Sequence, residues 1–160
     1  IMLTITNIRP LEKDDYNKGY LDLLQQGFTI TPSTVSFEEF TRFLNDTRKQ
    51  TLIIESTRFD IPDELINVVK PIQIVASTTI IVEEKLIHNM GKVCHIEDVV
   101  VDKDSRGKGF GKQLIQHCVE LAKTYGCYKC ILNCDEANVK FYEKCDTGFE
   151  CKGVEMAAYL

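Results

Sequence analysis

The chain has 160 residues, of which 44% are hydrophobic and 27% charged, as expected for one soluble domain spanning residues 1–160. Its net charge of −5 argues against nucleic acid as the main partner, because phosphate backbones attract basic surfaces. No apolar run approaches the ~18 residues of a membrane span, and residues 1–10 lack a signal-peptide pattern, so we expect no membrane span and a cytoplasmic protein.

The first half of the chain predicts a strand, two helices and two further strands. Alternation, helical spacing and β-branched runs place these elements, in order, at 3–8, 12–26, from Ser36 onward, 51–57 and 72–83. Glu39 follows Ser36 by three residues, which is a capping-box pattern at a helix start. Residues 58–71 contain two prolines and predict an inserted loop, to which the sequence assigns no role.

The second half alternates strands with helices. Apolar runs and helical spacing place a strand at 93–101, a helix at 109–125, a strand at 128–134, a short helix at 136–144 and a last strand at 149–159. The full order is β-α-α-β-β-β-α-β-α-β. It predicts a mixed sheet of the α/β or α+β class with helices packed on its faces.

Three glycines follow the strand at 93–101. They are Gly107, Gly109 and Gly111, at alternate positions among the basic residues Arg106, Lys108 and Lys112, and a helical pattern starts directly after them. A glycine-rich turn at a helix start predicts an anion site, because free N–H groups and the helix dipole meet there. The P-loop pattern fails because Gln113 stands where it needs Ser or Thr, and the dinucleotide pattern fails at Lys112.

What fits is Arg-x-x-Gly-x-Gly, formed by Arg106, Gly109 and Gly111. This motif resembles the pyrophosphate loop of the GNAT superfamily of N-acetyltransferases, which bind acetyl-CoA, and the predicted order of elements resembles their fold. Further similar segments lie at 30–32, 85–88, 95–101, 125–129, 138–144 and 153–156. These look like the branch that acetylates glucosamine 6-phosphate on the route to UDP-N-acetylglucosamine, whose members are typically homodimers.

The resemblance implies a coenzyme site around this loop. Backbone N–H groups of the loop would face the pyrophosphate, and the edge of the preceding strand would pair with the pantetheine arm and polarise the thioester oxygen. The implied coenzyme-binding residues are Val99, Val100, Val101, Arg106, Gly107, Lys108, Gly109, Phe110, Gly111, Lys112, Asn138 and Tyr142. Two alternatives stay open: a buried core strand for the valines and a helix-surface role for Asn138.

The resemblance also implies the catalytic groups. Tyr142 would protonate the leaving thiolate, and its alternative is a core tyrosine packed beside Phe141. Glu97 and Asp98 are adjacent carboxylates in an apolar strand, so their side chains are expected on opposite faces. They suit an ammonium group, sugar hydroxyls or a water that removes the amine proton, and their alternative is an internal salt bridge.

Acceptor residues are implied as well. Lys85 and His88 would bind the sugar phosphate and Thr29 the sugar, while the alternative for Lys85 and His88 is an ordinary loop. Asn133 stands where related enzymes often carry an acid. It can orient the amine but cannot accept its proton.

The chain ends in Ala157-Ala158-Tyr-Leu, without the basic residue that relatives place there for phosphate. Its last strand is expected to pair with a second subunit.

The sequence has seven cysteines, an odd number that argues against a disulfide framework. Cys127 and Cys130 have C-x-x-C spacing and could be redox-active or half of a zinc site. No second C-x-x-C or His pair follows. We therefore expect mostly small buried apolar cysteines and no metal ion.

Two other functions stay open. The acidic net charge would suit a basic acceptor such as a peptide amine or a polyamine. A non-catalytic CoA-binding or interaction domain is the second alternative, and the combination of Tyr142 with Glu97 and Asp98 argues against it.

Overall fold

One mixed sheet runs through the computed structural model, which describes residues 2–60 and 73–160. Its strands are β1 (Met2–Pro10), β2 (Lys49–Asp60), β3 (Gln73–Glu84), β4 (Lys92–Val101) and β5 (Cys127–Ile131). They lie side by side in chain order. The pairs β1–β2, β2–β3 and β3–β4 are antiparallel, and the pair β4–β5 is parallel. The predicted mixed sheet is confirmed.

Helices connect the strands and cover the sheet. They are α1 (Tyr20–Gln25), α2 (Phe37–Leu44), the single turn α3 (Ile87–Met90), α4 (Phe110–Thr124) and α5 (Val139–Glu143). The capping box is formed: Glu39 N donates to Ser36 Oγ at 3.2 Å, and Ser36 N donates to Glu39 Oε2 at 2.9 Å. No helix within the described ranges is long and apolar enough to cross a membrane.

Several predicted boundaries are wrong for local physical reasons. The helix predicted at 12–26 is broken at Gly19, whose φ of 79° is left-handed and separates a 3-10 turn (Lys13–Asn17) from α1. Residues 58–60 of the loop predicted at 58–71 belong instead to β2, and residues 61–71 lie outside the described residues. The short helix predicted at 136–144 starts as a 3-10 turn (Glu136–Asn138) before α5.

The prediction of a last strand at 149–159 is also wrong. In the described chain this segment forms neither helix nor strand, and residues 150–160 are exposed. The alternating pattern is present, but a strand needs a neighbour for its backbone hydrogen bonds, and β5 pairs with β4 alone.

Both faces of the sheet are buried, which explains the three consecutive buried residues Leu52, Ile53 and Ile54 on β2. Leu52 and Ile54 belong to the core that includes Leu114 and Ile115 of α4. Ile53 points to the opposite core, beneath α1 and α2. Through these two cores the sheet is held between α4 on one face and the first two helices on the other.

Two irregularities of β4 prepare the site. First, Asp98 and Val99 together oppose the single residue Thr78 of β3, which is a β-bulge, and Asp98 has a left-handed φ of 52°. Second, β5 pairs only with residues 92–95 of β4. Beyond that point, residues 96–101 have no strand neighbour on the β5 side within the described chain.

Candidate active site

Residues 102–109 connect β4 to α4; together with the first three residues of α4, 110–112, they are called the coenzyme loop after the predicted coenzyme-binding residues among them. Gly107 and Gly109 have left-handed φ values of 76° and 84°, which explains the glycines at these positions. Gly109 is the N-cap of α4 and offers no side-chain acceptor, so no side chain caps the first-turn amides of the helix. Arg106 Nε donates to Val101 O at 3.2 Å, and Lys108 Nζ donates to Asp104 O at 2.8 Å.

A cavity of about 480 Å³, which we call the coenzyme cavity, opens against this loop. Every predicted coenzyme-binding residue lines it except Lys108, whose ammonium group bonds back to the loop. The cavity wall also includes Gly27, Ser105 and Phe141, which the sequence pattern does not single out for this site. In the sequence, Gly27 indicates only the end of a helix, and Phe141 indicates only a residue that packs beside Tyr142. Neither pattern points to this cavity, because both residues reach the loop through tertiary contacts.

Tyr142 stands between this cavity and a second one. The second cavity, of about 350 Å³, is lined by Asn133, by the residues after β5 and by residues 149–155, and Tyr142 lines both. The phenol is half-buried, and burial, with the neighbouring Cys134 and Cys145, raises its pKa to about 12. Its ring meets that of Phe141 edge to face at 4.9 Å. A tyrosine in this setting stays protonated at neutral pH and can donate a proton.

The β-bulge changes the expected arrangement of the paired carboxylates. Glu97 is half-buried and Asp98 is exposed, and the extra residue interrupts the regular alternation of faces. Neither carboxylate forms an ion pair with a described lysine or arginine, and neither lines the two cavities. Asp98 does lie near the buried phenol of Tyr20, whose pKa burial raises to about 12.

The predicted phosphate-binding residues lie at the other end of β4. Lys85 forms an ion pair with Glu83, which also accepts from His95 Nε2 at 3.0 Å. His88 has a left-handed φ of 55° and stacks on Tyr128 with ring centroids 4.3 Å apart. Five residues of strand, about 17 Å, separate Lys92 from Glu97. Within one chain neither Lys85 nor His88 lines the two cavities that meet at Tyr142, and the exposed Thr29 lines neither of them.

The cysteines divide by burial. Cys94, Cys118 and Cys145 are buried, the C-x-x-C pair Cys127 and Cys130 is half-buried, and the other two are exposed. The prediction of mostly buried cysteines is therefore only partly right. All seven are free thiols. Across the described residues, no group of three or more His, Cys, Asp or Glu side chains could hold a metal ion.

Comparison with known proteins agrees with this geometry. The sequence pattern of the acetyltransferase (GNAT) family matches residues 18–147, and the chain belongs to this family. It is 44% identical over 154 residues to glucosamine 6-phosphate N-acetyltransferase 1 of Dictyostelium discoideum, covering 96% of this chain and 90% of that one. It is 39% identical over 156 residues to the glucosamine 6-phosphate N-acetyltransferase of Arabidopsis thaliana, covering 96% and 95%. Within the GNAT family it thus groups with the glucosamine 6-phosphate N-acetyltransferases.

Solved structures of acetyltransferases have the same fold as this chain. The crystal structure of glucosamine-6-phosphate N-acetyltransferase from Arabidopsis thaliana superposes with a TM-score of 0.80 at 36% identity, covering 97% of this chain and 98% of that one. An acetyltransferase from Trypanosoma brucei superposes with a TM-score of 0.73 at 29% identity, covering 98% and 100%. The predicted GNAT fold is confirmed.

Proposed function

We propose that this protein transfers the acetyl group of acetyl-CoA to the 2-amine of glucosamine 6-phosphate, giving N-acetylglucosamine 6-phosphate and CoA. The observation that carries the proposal is the position of Tyr142, which lines both the coenzyme cavity and the neighbouring cavity that holds Asn133. A proton donor at that junction can reach the thioester sulfur while an acceptor amine approaches from the other side.

The coenzyme cavity suits the pyrophosphate, the pantetheine arm and the acetyl end of acetyl-CoA. At one end, the uncapped amides of α4 and the side chain of Arg106 provide donors and positive charge for the pyrophosphate. Lys112 also lines this end, and its ammonium group pairs with Asp146. From there, the open edge of β4 at residues 96–101 offers backbone groups to the amides of the pantetheine arm, as an added strand would. The acetyl end then comes to Tyr142.

Groups of this chain can carry each step of the reaction. The neutral amine attacks the thioester carbonyl carbon, and a backbone N–H of the bulged segment of β4 stabilises the negative charge that develops on the oxygen. As the carbon–sulfur bond breaks, the Tyr142 hydroxyl donates its proton to the sulfur. The proton released by the amine passes through water to Glu97 or Asp98, because neither carboxylate lines the two cavities, and Asn133 orients the amine through its side-chain amide.

A second subunit would complete the acceptor site. Leu86 and Ile87, beside Lys85 and His88, are 87% and 64% exposed, and Val154 and Met156 of the C-terminal segment are 95% and 94% exposed. Apolar exposure of this extent is typical of an interface. In a homodimer, Lys85 and His88 of the partner would face the phosphate and Thr29 the sugar.

We further propose a cytoplasmic enzyme that requires no metal and acts on the route to UDP-N-acetylglucosamine.

The acceptor is tested by the release of free CoA thiol from acetyl-CoA. The panel contains glucosamine 6-phosphate, glucosamine, a polyamine and a lysine peptide. We expect turnover with the sugar phosphate and at least about tenfold lower kcat/KM with glucosamine, because the phosphate adds charge-assisted contacts. Turnover confined to the polyamine or the peptide would replace this acceptor, and coenzyme binding without any turnover would favour a non-catalytic module.

The shared site is tested by mixing two inactive variants. Tyr142→Phe removes the proton donor and Lys85→Ala removes a phosphate contact. If these groups meet across the interface, a mixed dimer carries one intact site, and co-refolding the two variants restores about a quarter of wild-type activity. If they act within one chain, each subunit of the mixed dimer lacks one group and activity stays at the level of the separate variants.

A further inference from the structure

The side chain of Gln26 joins the end of α1 to the start of the coenzyme loop. Its Nε2 donates to Asp102 Oδ1 at 3.1 Å, and its Oε1 accepts from Lys103 N at 2.9 Å. Both ends of one planar amide are used, and they connect positions 76 and 77 residues apart in the chain. The arrangement needs a group that donates and accepts at once, which only an amide side chain of this length provides here.

Backbone hydrogen bonds hold Asp102 at the start of the coenzyme loop. Its N–H donates to Val75 O on β3 at 2.8 Å, and its carbonyl oxygen accepts from Ser105 N at 2.8 Å. Burial raises the pKa of its carboxyl group, but hydrogen bonds from Gln26 and Ser105 lower it overall, so the group is ionised at neutral pH. A free carboxylate at this point would oppose the binding of an anion in the adjacent cavity.

The other end of the bridge leads into the cavity wall. Gly27 follows Gln26 directly and lines the coenzyme cavity. A Cβ atom at Gly27 would lie 3.0 Å from Val100 Cγ2, so the end of α1 is packed closely on β4. Anchoring Gln26 to the loop therefore fixes two walls of the cavity relative to each other. It also fixes the start of the segment that carries Thr29.

We propose that Gln26 is a positioning residue for coenzyme binding: its amide fixes the Asp102 carboxylate, which does not line the coenzyme cavity, and locks the coenzyme loop to the end of α1. The inference rests on the proposed binding of acetyl-CoA in this cavity. Gln26 does not touch the reacting atoms. Its loss should therefore weaken coenzyme binding while leaving the chemical step at saturation nearly unchanged.

The test compares three variants with the wild type in acetyl-CoA titrations at about pH 8. Gln26→Glu places a carboxylate against Asp102, and we expect its Kd to rise about tenfold with kcat at saturation changed by less than about twofold. Gln26→Met keeps the shape but loses both hydrogen bonds, and should raise Kd by roughly fivefold. Gln25→Glu is the matched control, since Gln25 is an exposed neighbour on α1, and it should bind like the wild type.

A second substitution provides the specific readout. In Gln26→Glu combined with Asp102→Asn, the new carboxylate accepts from Lys103 N and from the new amide at position 102, so the bridge is rebuilt with its polarity reversed. We expect the double variant to recover at least about half of the lost binding free energy, which a purely structural role would not produce.

The outcomes separate two failures. If the wild type does not bind acetyl-CoA, the proposed function fails and this inference fails with it. If the wild type binds and acetylates but Gln26→Glu has the same Kd as Gln25→Glu, or the double variant stays as weak as Gln26→Glu, only the positioning role is overturned. Because Gln26 is exposed, we expect all variants to fold. If the glutamate variant does not fold, a wild-type Kd in Gln26→Met overturns the positioning role in its place.

Discussion

The hydroxyl of Thr78 donates a hydrogen bond of 3.0 Å to the carbonyl oxygen of Glu97, at the point where β4 carries its extra residue. A bulge takes one residue out of the ladder and leaves its backbone groups without their usual strand partners. Here a buried side chain of the neighbouring strand supplies the missing donor. The bond holds the bulge in place and with it the left-handed conformation of Asp98.

Thr78→Val should therefore impair both stability and catalysis. The substitution keeps the shape but leaves the carbonyl oxygen of Glu97 without this donor, at an expected cost of about 1–3 kcal/mol in the free energy of unfolding. Because the bulge then shifts, kcat should also fall by about tenfold. Urea unfolding and steady-state kinetics measure the two effects. Thr79→Val is the control: its buried hydroxyl bonds Thr51 Oγ1 at 2.8 Å, so it should lose similar stability but keep kcat.

Gly111→Ala should weaken coenzyme use without unfolding the protein. A Cβ atom at this position would lie 2.9 Å from Phe141 Cζ, so the ring beside Tyr142 must move. Alanine is better than glycine in a helix by about 1 kcal/mol, which offsets part of the clash. We expect kcat/KM for acetyl-CoA to fall about tenfold with little change in thermal stability. Adding Phe141→Leu should restore most of the loss, and its failure to do so would contradict the steric explanation.

The site could be predicted from sequence where its geometry is local. The coenzyme loop depends on the local spacing of Gly107, Gly109 and Gly111, and all three line the coenzyme cavity. The bridge from Gln26 to Asp102 has no sequence pattern, because 76 residues separate the partners and only the packed sheet brings them together.

The parts of the fold that failed prediction depend on register or on a missing neighbour. Glu97 and Asp98 have the sequence of a regular strand, and the bulge appears only when β4 is aligned with Thr78 of β3. The segment at 149–159 alternates as a strand does, yet it has no strand partner in the described chain. Likewise, nothing in the sequence indicates that Lys85 lies at the far end of β4 from Tyr142.

Asp15→Asn should reduce stability and flatten its dependence on acidic pH. The fully buried Asp15 carboxylate accepts two hydrogen bonds of 2.8 Å from the guanidinium group of Arg9, which also pairs with Glu55. Burial raises the pKa of Asp15, but the Arg9 hydrogen bonds lower it below the ordinary 3.8. Removing the charge should cost about 3 kcal/mol at neutral pH, because Arg9 loses its main partner.

The sign of the pH effect follows from the lowered pKa of Asp15. A carboxyl group with a lower pKa in the folded state stabilises the fold above its unfolded value of 3.8, and this contribution is lost as the pH falls through the folded pKa. Urea unfolding should therefore show a smaller gap between wild type and Asp15→Asn at about pH 2 than at about pH 7. An equal gap at both pH values would mean that the charge of Asp15 does not stabilise the fold.

Tyr142→Phe should lower kcat by about a hundredfold while leaving the Kd for acetyl-CoA nearly unchanged, because the ring still lines the cavity and only the proton donor is lost. The pKa of about 12, compared with an ordinary 10.0, also predicts the pH profile of the wild type. A raised pKa keeps the hydroxyl protonated as the pH passes 10.0, so activity should not fall there through loss of this donor. A less basic leaving group separates the roles: with an activated aryl thioester of acetate the variant should approach the wild-type rate, since that thiolate needs no proton. An equal deficit on both thioesters would instead assign Tyr142 to positioning.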